Sequence, residues 1–216
     1  MRARCESLLA SSPSQLRQDL FALCVCDFVD DGFFVEFGAC DGLTLSNSVL
    51  LERDFGWRGI LGEPATMWHE ALFENRPDAT IETDCVYSET GATLEFTQAA
   101  SGPMSSLKRD AKFKKRRQGE TYPVKTISLL DMLRKHDAPQ VIDYLSVDTE
   151  GSEFEILHAF DFAKYRFRVI TVEHNFYPYR KQIHALLSKH GYRQILPEIS
   201  YFDDWYLGPG ETAFSP

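Results

Sequence analysis

Residues 33–42 read FFVEFGACDG: an apolar run with Glu36 inside it, then Ala39, Cys40 and Asp41 bracketed by Gly38 and Gly42. Periodicity over so short a run does not separate a buried strand from a core helix. The turn signal Asp30-Asp31-Gly32 just upstream favours a strand over 33–38. Two readings then compete for the glycines and acids. They cradle a nucleotide cofactor, or they make an ordinary turn after a packed strand.

The flanking sequence alternates strands with helices. A helix is predicted over 14–28, before the strand. After Gly42, LTLSNSVLLERDFG (43–56) suits an amphipathic helix closed by Gly56. Strand signals follow at 57–64 and 79–86, with a helix at 66–75 between them. Residues 88–97 suggest a turn and an excursion strand, and PVKTIS (123–128) leads into a helix at LLDMLRKH. The second half continues with a strand at 141–151, a helix at 152–160, a strand at 167–175 and a helix at 179–191. Two late strand candidates, YRQILPE and YFDDWYLG, can pair antiparallel at one sheet edge. This alternation predicts a single α/β domain, Rossmann-like, with a mostly parallel central sheet, an antiparallel C-terminal edge and helices on both faces. The organisation expected is an N-terminal extension (1–14), the domain itself (15–207) with a basic excursion at 105–120, and a tail (208–216).

The chain has 216 residues, 44% of them hydrophobic, enough for one good-sized core. No apolar run approaches membrane-spanning length, and the N-terminus lacks the apolar stretch of a secretory signal. Its early Arg and Ser residues allow a transit-like reading, which Glu6 and Asp19 oppose. The five cysteines, Cys5, Cys24, Cys26, Cys40 and Cys85, show no framework, so a reducing, cytoplasmic compartment is expected. The net charge of −9 argues against a nucleic-acid partner. One segment opposes that balance: KRDAKFKKRR (108–117) carries seven basic residues and one acid, leaving −15 on the remainder. It reads as a solvated loop or as a flap attracting an anionic small-molecule or glycan acceptor.

The chemistry of the turn narrows the cofactor. A dinucleotide fingerprint needs Gly-x-Gly-x-x-Gly, and Cys40 stands where its second glycine belongs. A P-loop ending in Gly-Lys-Ser/Thr is also absent. Asp41 beside a pyrophosphate would bring like charges together. S-adenosylmethionine carries a sulfonium and an ammonium instead, which nearby carboxylates suit. At the end of the next strand, Glu63 in GILGEP is placed to take ribose hydroxyls, a role that fits either cofactor.

Several stretches in order carry a resemblance: QDLF (18–21), FFVEFGACDGLTLSNSVLLE (33–52), GWRGILGEP (56–64), VDTEGSEFEIL (147–157) and ITVEHN (170–175). Through them the chain resembles the FkbM-type family of S-adenosylmethionine-dependent methyltransferases over roughly residues 15–207. The resemblance implies the seven-stranded class I methyltransferase fold and O-methylation of a hydroxyl on a small-molecule or sugar-containing acceptor. It implies that Glu36, Gly38, Ala39, Asp41 and Gly42 form the cofactor turn and that Glu63 holds the ribose. It also places Asp84 near the adenine amino group and Cys85 on the same wall. The family often reads Gly-Ala-Asn-Asp-Gly in the turn, and Cys40 departs from that pattern. Two alternatives stay open: a catalytically silent domain of this type, and a nucleotide-sugar or dinucleotide-binding enzyme.

A second acidic corner lies in SVDTEGSEFEIL (146–157). Ser152 with Glu155 three residues later reads as a capping box. Asp148 and Glu150 have no such structural explanation and are candidates for the active cleft. The neighbouring strand ends in Glu173, His174 and Asn175. Asp148, Glu173 and Asn175 offer oxygen ligands for Mg²⁺ or another divalent cation. The rival catalyst is His174 as general base, with Glu150 or Glu173 able to serve instead. The other histidines fall in helical stretches. Aromatics at Tyr177, Tyr179, Tyr201, Phe202, Trp205 and Tyr206 suit an acceptor ring or plain strand packing.

Overall fold

A computed structural model describes residues 2–100, 104–107 and 119–212, so the basic segment 108–117 lies outside the described residues. In chain order the elements are α1 (Arg2–Leu8), α2 (Gln18–Val25), β1 (Phe33–Phe37), α3 (Val49–Phe55), β2 (Arg58–Gly62), α4 (Thr66–Asn75), β3 (Thr80–Glu82), β4 (Cys85–Tyr87), β5 (Thr93–Ala99), β6 (Ser106–Leu107), β7 (Gly119–Ser128), α5 (Leu129–Lys135), β8 (Val141–Val147), α6 (Glu153–Ala159), β9 (Arg166–Glu173), α7 (Arg180–Lys189), β10 (Arg193–Ile195) and β11 (Asp203–Leu207). Among the described residues, no helix is long and apolar enough to cross a membrane.

A seven-stranded sheet runs in the order β10-β11-β9-β8-β1-β2-β3. The pairs β3–β2, β2–β1, β1–β8 and β8–β9 are parallel, and β11 is antiparallel to both β9 and β10. The chain starts at β1 in mid-sheet, adds β2 and β3 on one side, then crosses to β8 on the other. The direction therefore switches between β1 and β8, where an open α/β sheet forms its ligand crevice. The expected Rossmann-like class I methyltransferase architecture is observed.

Register explains the two cores. Paired positions share a face, and faces alternate along each strand. Phe34, Tyr144, Val169 and Leu207 lie in one row and pack with α2 and α3 residues. Val35, Leu145, Ile170 and Tyr206 lie on the opposite face, packed with residues of α5, α6 and α7. Buried on both sides, the central strands read as continuous apolar runs.

Three local readings are corrected. The helix predicted from residue 43 begins only at Val49. Before it, the Glu36 carboxylate accepts hydrogen bonds from Ser46 Oγ, the Asn47 amide and Ser48 Oγ, which fixes residues 46–48 as a loop. The single strand predicted over 79–86 is two, β3 and β4, in different sheets. Between them the Asp84 amide donates to Glu82 Oε1, turning the chain. From β4 the chain builds a four-stranded sheet, β4-β7-β5-β6, with its own apolar cluster of Ala65, Cys85, Phe96, Leu107 and Val124. The excursion strand belongs to it. The capping box is also absent: Ser152 makes no side-chain cap bond to α6. The stretch 1–14, expected as an extension, carries α1, whose Cys5 and Leu8 pack on the core.

Candidate active site

β1 delivers the glycine turn to the switch point. Gly38 has φ 77°, and a Cβ there would stand 2.2 Å from the Asp148 carbonyl oxygen. Only glycine lets the exit of β1 pass that close to the exit of β8. Ala39 is buried in the core, and Cys40 takes a positive φ of 49°. Asp41 Oδ1 accepts from the Leu43 and Thr44 amides at 2.9 and 2.7 Å, and its Oδ2 accepts from Thr44 Oγ1. Burial pushes the Asp41 carboxyl up, but these hydrogen bonds outweigh it and hold it below its ordinary range. Gly42, at φ 79°, closes against Arg76 and Leu72. The two acids that frame the turn thus bond to the loop that follows it, while both also line the cleft.

Glu63 joins β2 to this turn. Its carboxylate accepts from the Cys40 amide at 2.9 Å and the Ala65 amide at 2.8 Å. Burial raises it to about 7 despite both bonds. The ring of His69 hydrogen-bonds the Glu63 carbonyl. Beyond Glu63 the cleft wall is formed by Trp68, Cys85, Val86, Phe96 and Leu107. The small sheet therefore supplies a largely apolar side pocket next to a carboxylate. Asp84, one residue before Cys85, sits at the β3–β4 turn and is not among the residues lining the cleft.

The opposite wall is acidic, and register shows why. Glu36, Ser146, Thr171 and Trp205 form one cross-sheet row. Two residues further toward the cleft on the same face stand Gly38, Asp148, Glu173 and Asp203. Glu150 joins them from the turn after β8, at φ 56°. Carboxylate oxygens of Asp148, Glu150 and Glu173 all lie within 4.8 Å of one another. Burial, followed by the charges of Glu173 and Glu150, lifts Asp148 well above the carboxylate range. Burial and Glu150 raise Glu173 to about 8. Glu153 holds the turn, accepting from the Thr149 and Gly151 amides at 2.9 and 3.0 Å and from Tyr179 Oη.

One expected participant stands elsewhere. His174 follows Glu173 and so faces the other side of the sheet. It is 1% exposed, accepts from the Phe176 amide through Nδ1, and lies 3.6 Å from Asp204. Burial lowers its pKa, and it does not line the cleft, which removes the placement a base would need. Asn175 donates its side-chain amide to Glu173 Oε2 at 2.7 Å and so orients that carboxylate.

Sequence reasoning missed Asp203. It is 4% exposed, raised by burial to about 7, lines the cleft, and accepts from Gln18 Nε2 at 2.8 Å. The available signal was the acid pair opening a late strand, in YFDDWYLG. Once β11 pairs antiparallel with β9, Asp203 falls opposite Glu173.

No functionally curated protein matches the chain at a significant level of similarity. Among solved structures, the chain is similar to the precorrin-6y C5,15-methyltransferase of Geobacter metallireducens GS-15, at 12% identity over 90% of this chain and 87% of that chain, with a TM-score of 0.49. It is similar to the human methyltransferase 10 domain containing protein at 12% identity, 93% and 84% coverage and a TM-score of 0.48. The M. capricolum TrmK structure with S-adenosyl-homocysteine matches at 10% identity, 90% and 69% coverage and a TM-score of 0.42. The family described as Methyltransferase FkbM domain matches residues 36–194, from the glutamate inside β1 to β10. With most of its length so matched, the chain belongs to the FkbM-domain family of S-adenosylmethionine-dependent methyltransferases.

Proposed function

We propose that the protein transfers the methyl group of S-adenosylmethionine to a hydroxyl oxygen of a small-molecule or sugar-containing acceptor. The observation that carries this reading is the continuity of one cleft. It runs from the glycine turn and Glu63, across the β1–β8 switch point, to the carboxylates Asp148, Glu150 and Glu173. In this reading Gly38, Ala39, Asp41 and Gly42 shape the cradle of the methionine end, with Glu36 holding its loop. Glu63 accepts the ribose hydroxyls in exchange for its present amide bonds. Cys85 and its apolar neighbours flank the adenine, with Asp84 at the rim of that wall. The five free cysteines, three of them buried, accord with the cytoplasmic setting proposed.

The acceptor oxygen attacks the methyl carbon as the carbon–sulfur bond breaks, and the electron pair stays on sulfur. With S-adenosylmethionine bound, S-adenosylhomocysteine would be the leaving group, and a cleft carboxylate would take the hydroxyl proton. Glu173 is the candidate acceptor of that proton: it lines the cleft, and its raised pKa matches a base working near neutral pH. Gly38 and the exit of β8 align donor and acceptor, and alignment supplies much of the rate. The three clustered carboxylates also have the donor chemistry for a hard divalent cation such as Mg²⁺. Such an ion would lower the pKa of an acceptor hydroxyl.

Calorimetry with S-adenosylmethionine and S-adenosylhomocysteine, followed by labelled-methyl transfer to a panel of hydroxyl acceptors, tests the reading. Binding with no transfer to any acceptor would leave a cofactor-binding domain instead. In a working assay Glu173→Gln lowers kcat by at least about 100-fold, with cofactor affinity kept. Turnover unchanged by EDTA and dialysis would remove the cation and leave the carboxylate as base.

A further inference from the structure

We propose that Asp203 and Gln18, with the ring of Phe202 beside them, form the acceptor subsite and select a neutral polyhydroxylated ring, such as a hexose or a cyclitol. This rests on the methyl-transfer reading and names the substrate class for it.

The hydrogen-bonding pair is built, not incidental. Asp203 and Gln18 are 4% and 3% exposed, come from the first residues of β11 and α2, and both line the cleft. Gln18 Nε2 donates to Asp203 Oδ2 at 2.8 Å. Its Oε1 accepts from the Leu16 amide at 2.9 Å and from Ser14 Oγ, so the orientation of the amide is fixed. Ser14 Oγ also contacts Asn47 Oδ1, and the Asn47 backbone amide donates to Glu36. One polar chain therefore ties the Asp203 carboxylate to the loop of the cofactor turn. A substrate held at Asp203 is thereby held in register with the donor.

The pair has the valences a polyol needs. A carboxylate accepts from more than one donor, and a primary amide carries two N–H groups. Among the described residues, only Asp203 is seen to accept from the Gln18 amide. Hydroxyls can donate to the first group and accept from the second, while a ring with one hydroxyl leaves part of the pair unmatched and desolvated.

An aromatic lip adjoins the pair. Phe202 lines the cleft next to Asp203 and contacts Tyr201 at 5.5 Å between ring centroids, and Tyr201 contacts Phe176 at 5.4 Å. Tyr201 and Phe176 are 65% and 61% exposed, so the lip continues to the surface. Rings of this kind pack on the C–H face of a sugar while its hydroxyls reach polar partners.

Among the described residues, the lining favours a neutral ligand over an anion. The described residues lining the cleft include seven acids and no lysine, arginine or histidine. A phosphate or carboxylate placed at Asp203 would meet Glu173 beside it with no cation in reach among those residues.

The test uses the full chain saturated with S-adenosylhomocysteine. Binding of methyl hexopyranosides, their monodeoxy analogues, cyclohexanol and a hexose 6-phosphate is followed by ligand-observed NMR. The hexopyranosides are expected to bind at least tenfold more tightly than cyclohexanol and the phosphate, with saturation strongest on C–H ring protons. Asp203→Asn and Phe202→Leu should each weaken hexopyranoside binding at least tenfold while leaving S-adenosylhomocysteine affinity unchanged. If one variant fails to fold, judged by its thermal transition, the other decides. Equal binding of cyclohexanol, preference for the phosphate, or folded variants that bind hexopyranosides like the parent would overturn the subsite. Hexopyranoside binding that depends on Asp203, with no methyl transfer to any hydroxyl, would instead sink the proposed activity and leave the subsite standing.

Discussion

At the scale of single residues, the site depends on where backbone meets backbone. Gly38 sits at φ 77° with the Asp148 carbonyl 2.2 Å from any Cβ it could carry. A side chain there adds a left-handed penalty of about 1–2 kcal/mol and forces β1 and β8 apart at the mouth of the cleft. Gly38→Ala is therefore expected to destabilise the fold by about 2–4 kcal/mol and to weaken S-adenosylhomocysteine binding at least tenfold. Urea unfolding and calorimetry check the two effects separately. A variant with parent-like stability and affinity would show that the strand exits do not need this approach. His174 marks the opposite case. One step along β9 from Glu173, it lands on the far face of the sheet, and single-residue chemistry is decided by that parity.

At the scale of elements, the loop between β1 and α3 is held from outside itself. Arg76, at the end of α4, is fully buried and donates to Glu52, to the Gly42 carbonyl at 3.0 Å and to Ser48 Oγ at 3.0 Å. Glu36 grips the same loop from β1. Arg76→Leu leaves the Glu52 carboxylate without its partner and the loop without its clamp. It should cost about 3–5 kcal/mol, and limited proteolysis should find new cuts within residues 43–48. Glu52→Gln should cost less, because Glu52 is partly exposed and the neutral amide still accepts from arginine. This clamp shows what sequence patterns carry. β1, β2, β8, β9, α4 and α7 are legible because apolar periodicity and glycine stops are local. The glycine turn, Glu63 and the carboxylates at the end of β8 are legible because they fall at strand exits. The loop at 43–48 is not, since its apolar spacing suits a helix and the bonds from Glu36, Asp41 and the more distant Arg76 that forbid it appear only in the fold. Asp203 is hidden for a related reason: its place opposite Glu173 exists only once β11 inserts between β9 and β10. The break at Thr83–Asp84 likewise depends on a second sheet waiting to receive β4.

At the scale of the whole molecule, the cleft holds several carboxylates whose burial favours the protonated form. Glu63 and Asp203, each 4% exposed, are both raised to about 7, chiefly by burial. Asp203 faces Gln18, Glu173 and the neighbouring Asp204 and Glu153, whereas Glu63 meets only backbone amides among its hydrogen-bond donors. Their folded-state values lie above the unfolded ones near 4. The folded state therefore binds more protons between about pH 4 and 7, and the stability from these groups is full below that window and lost as pH rises through about 7. Each group contributes on the order of 3–4 kcal/mol. Glu82 opposes them at the acid end: burial raises it, but Lys135 and His136 outweigh this and lower it, so its contribution disappears as pH falls through its depressed value. The ligand-free protein in EDTA should consequently be more stable near pH 5 than at pH 8, losing several degrees of Tm over that range at about 2–4 °C per kcal/mol. Asp203→Asn removes one of several raised carboxyl groups, Asp148 and Glu173 among the others, and should make that decline measurably shallower. Scanning calorimetry of both proteins from pH 4.5 to 8.5 measures it. A parent curve flat from pH 5 to 8 would mean that these carboxylates already ionise in place at no cost. The acidic cleft would then be a solvated surface, and not a pocket that the fold keeps at the expense of its own stability for a ligand to fill.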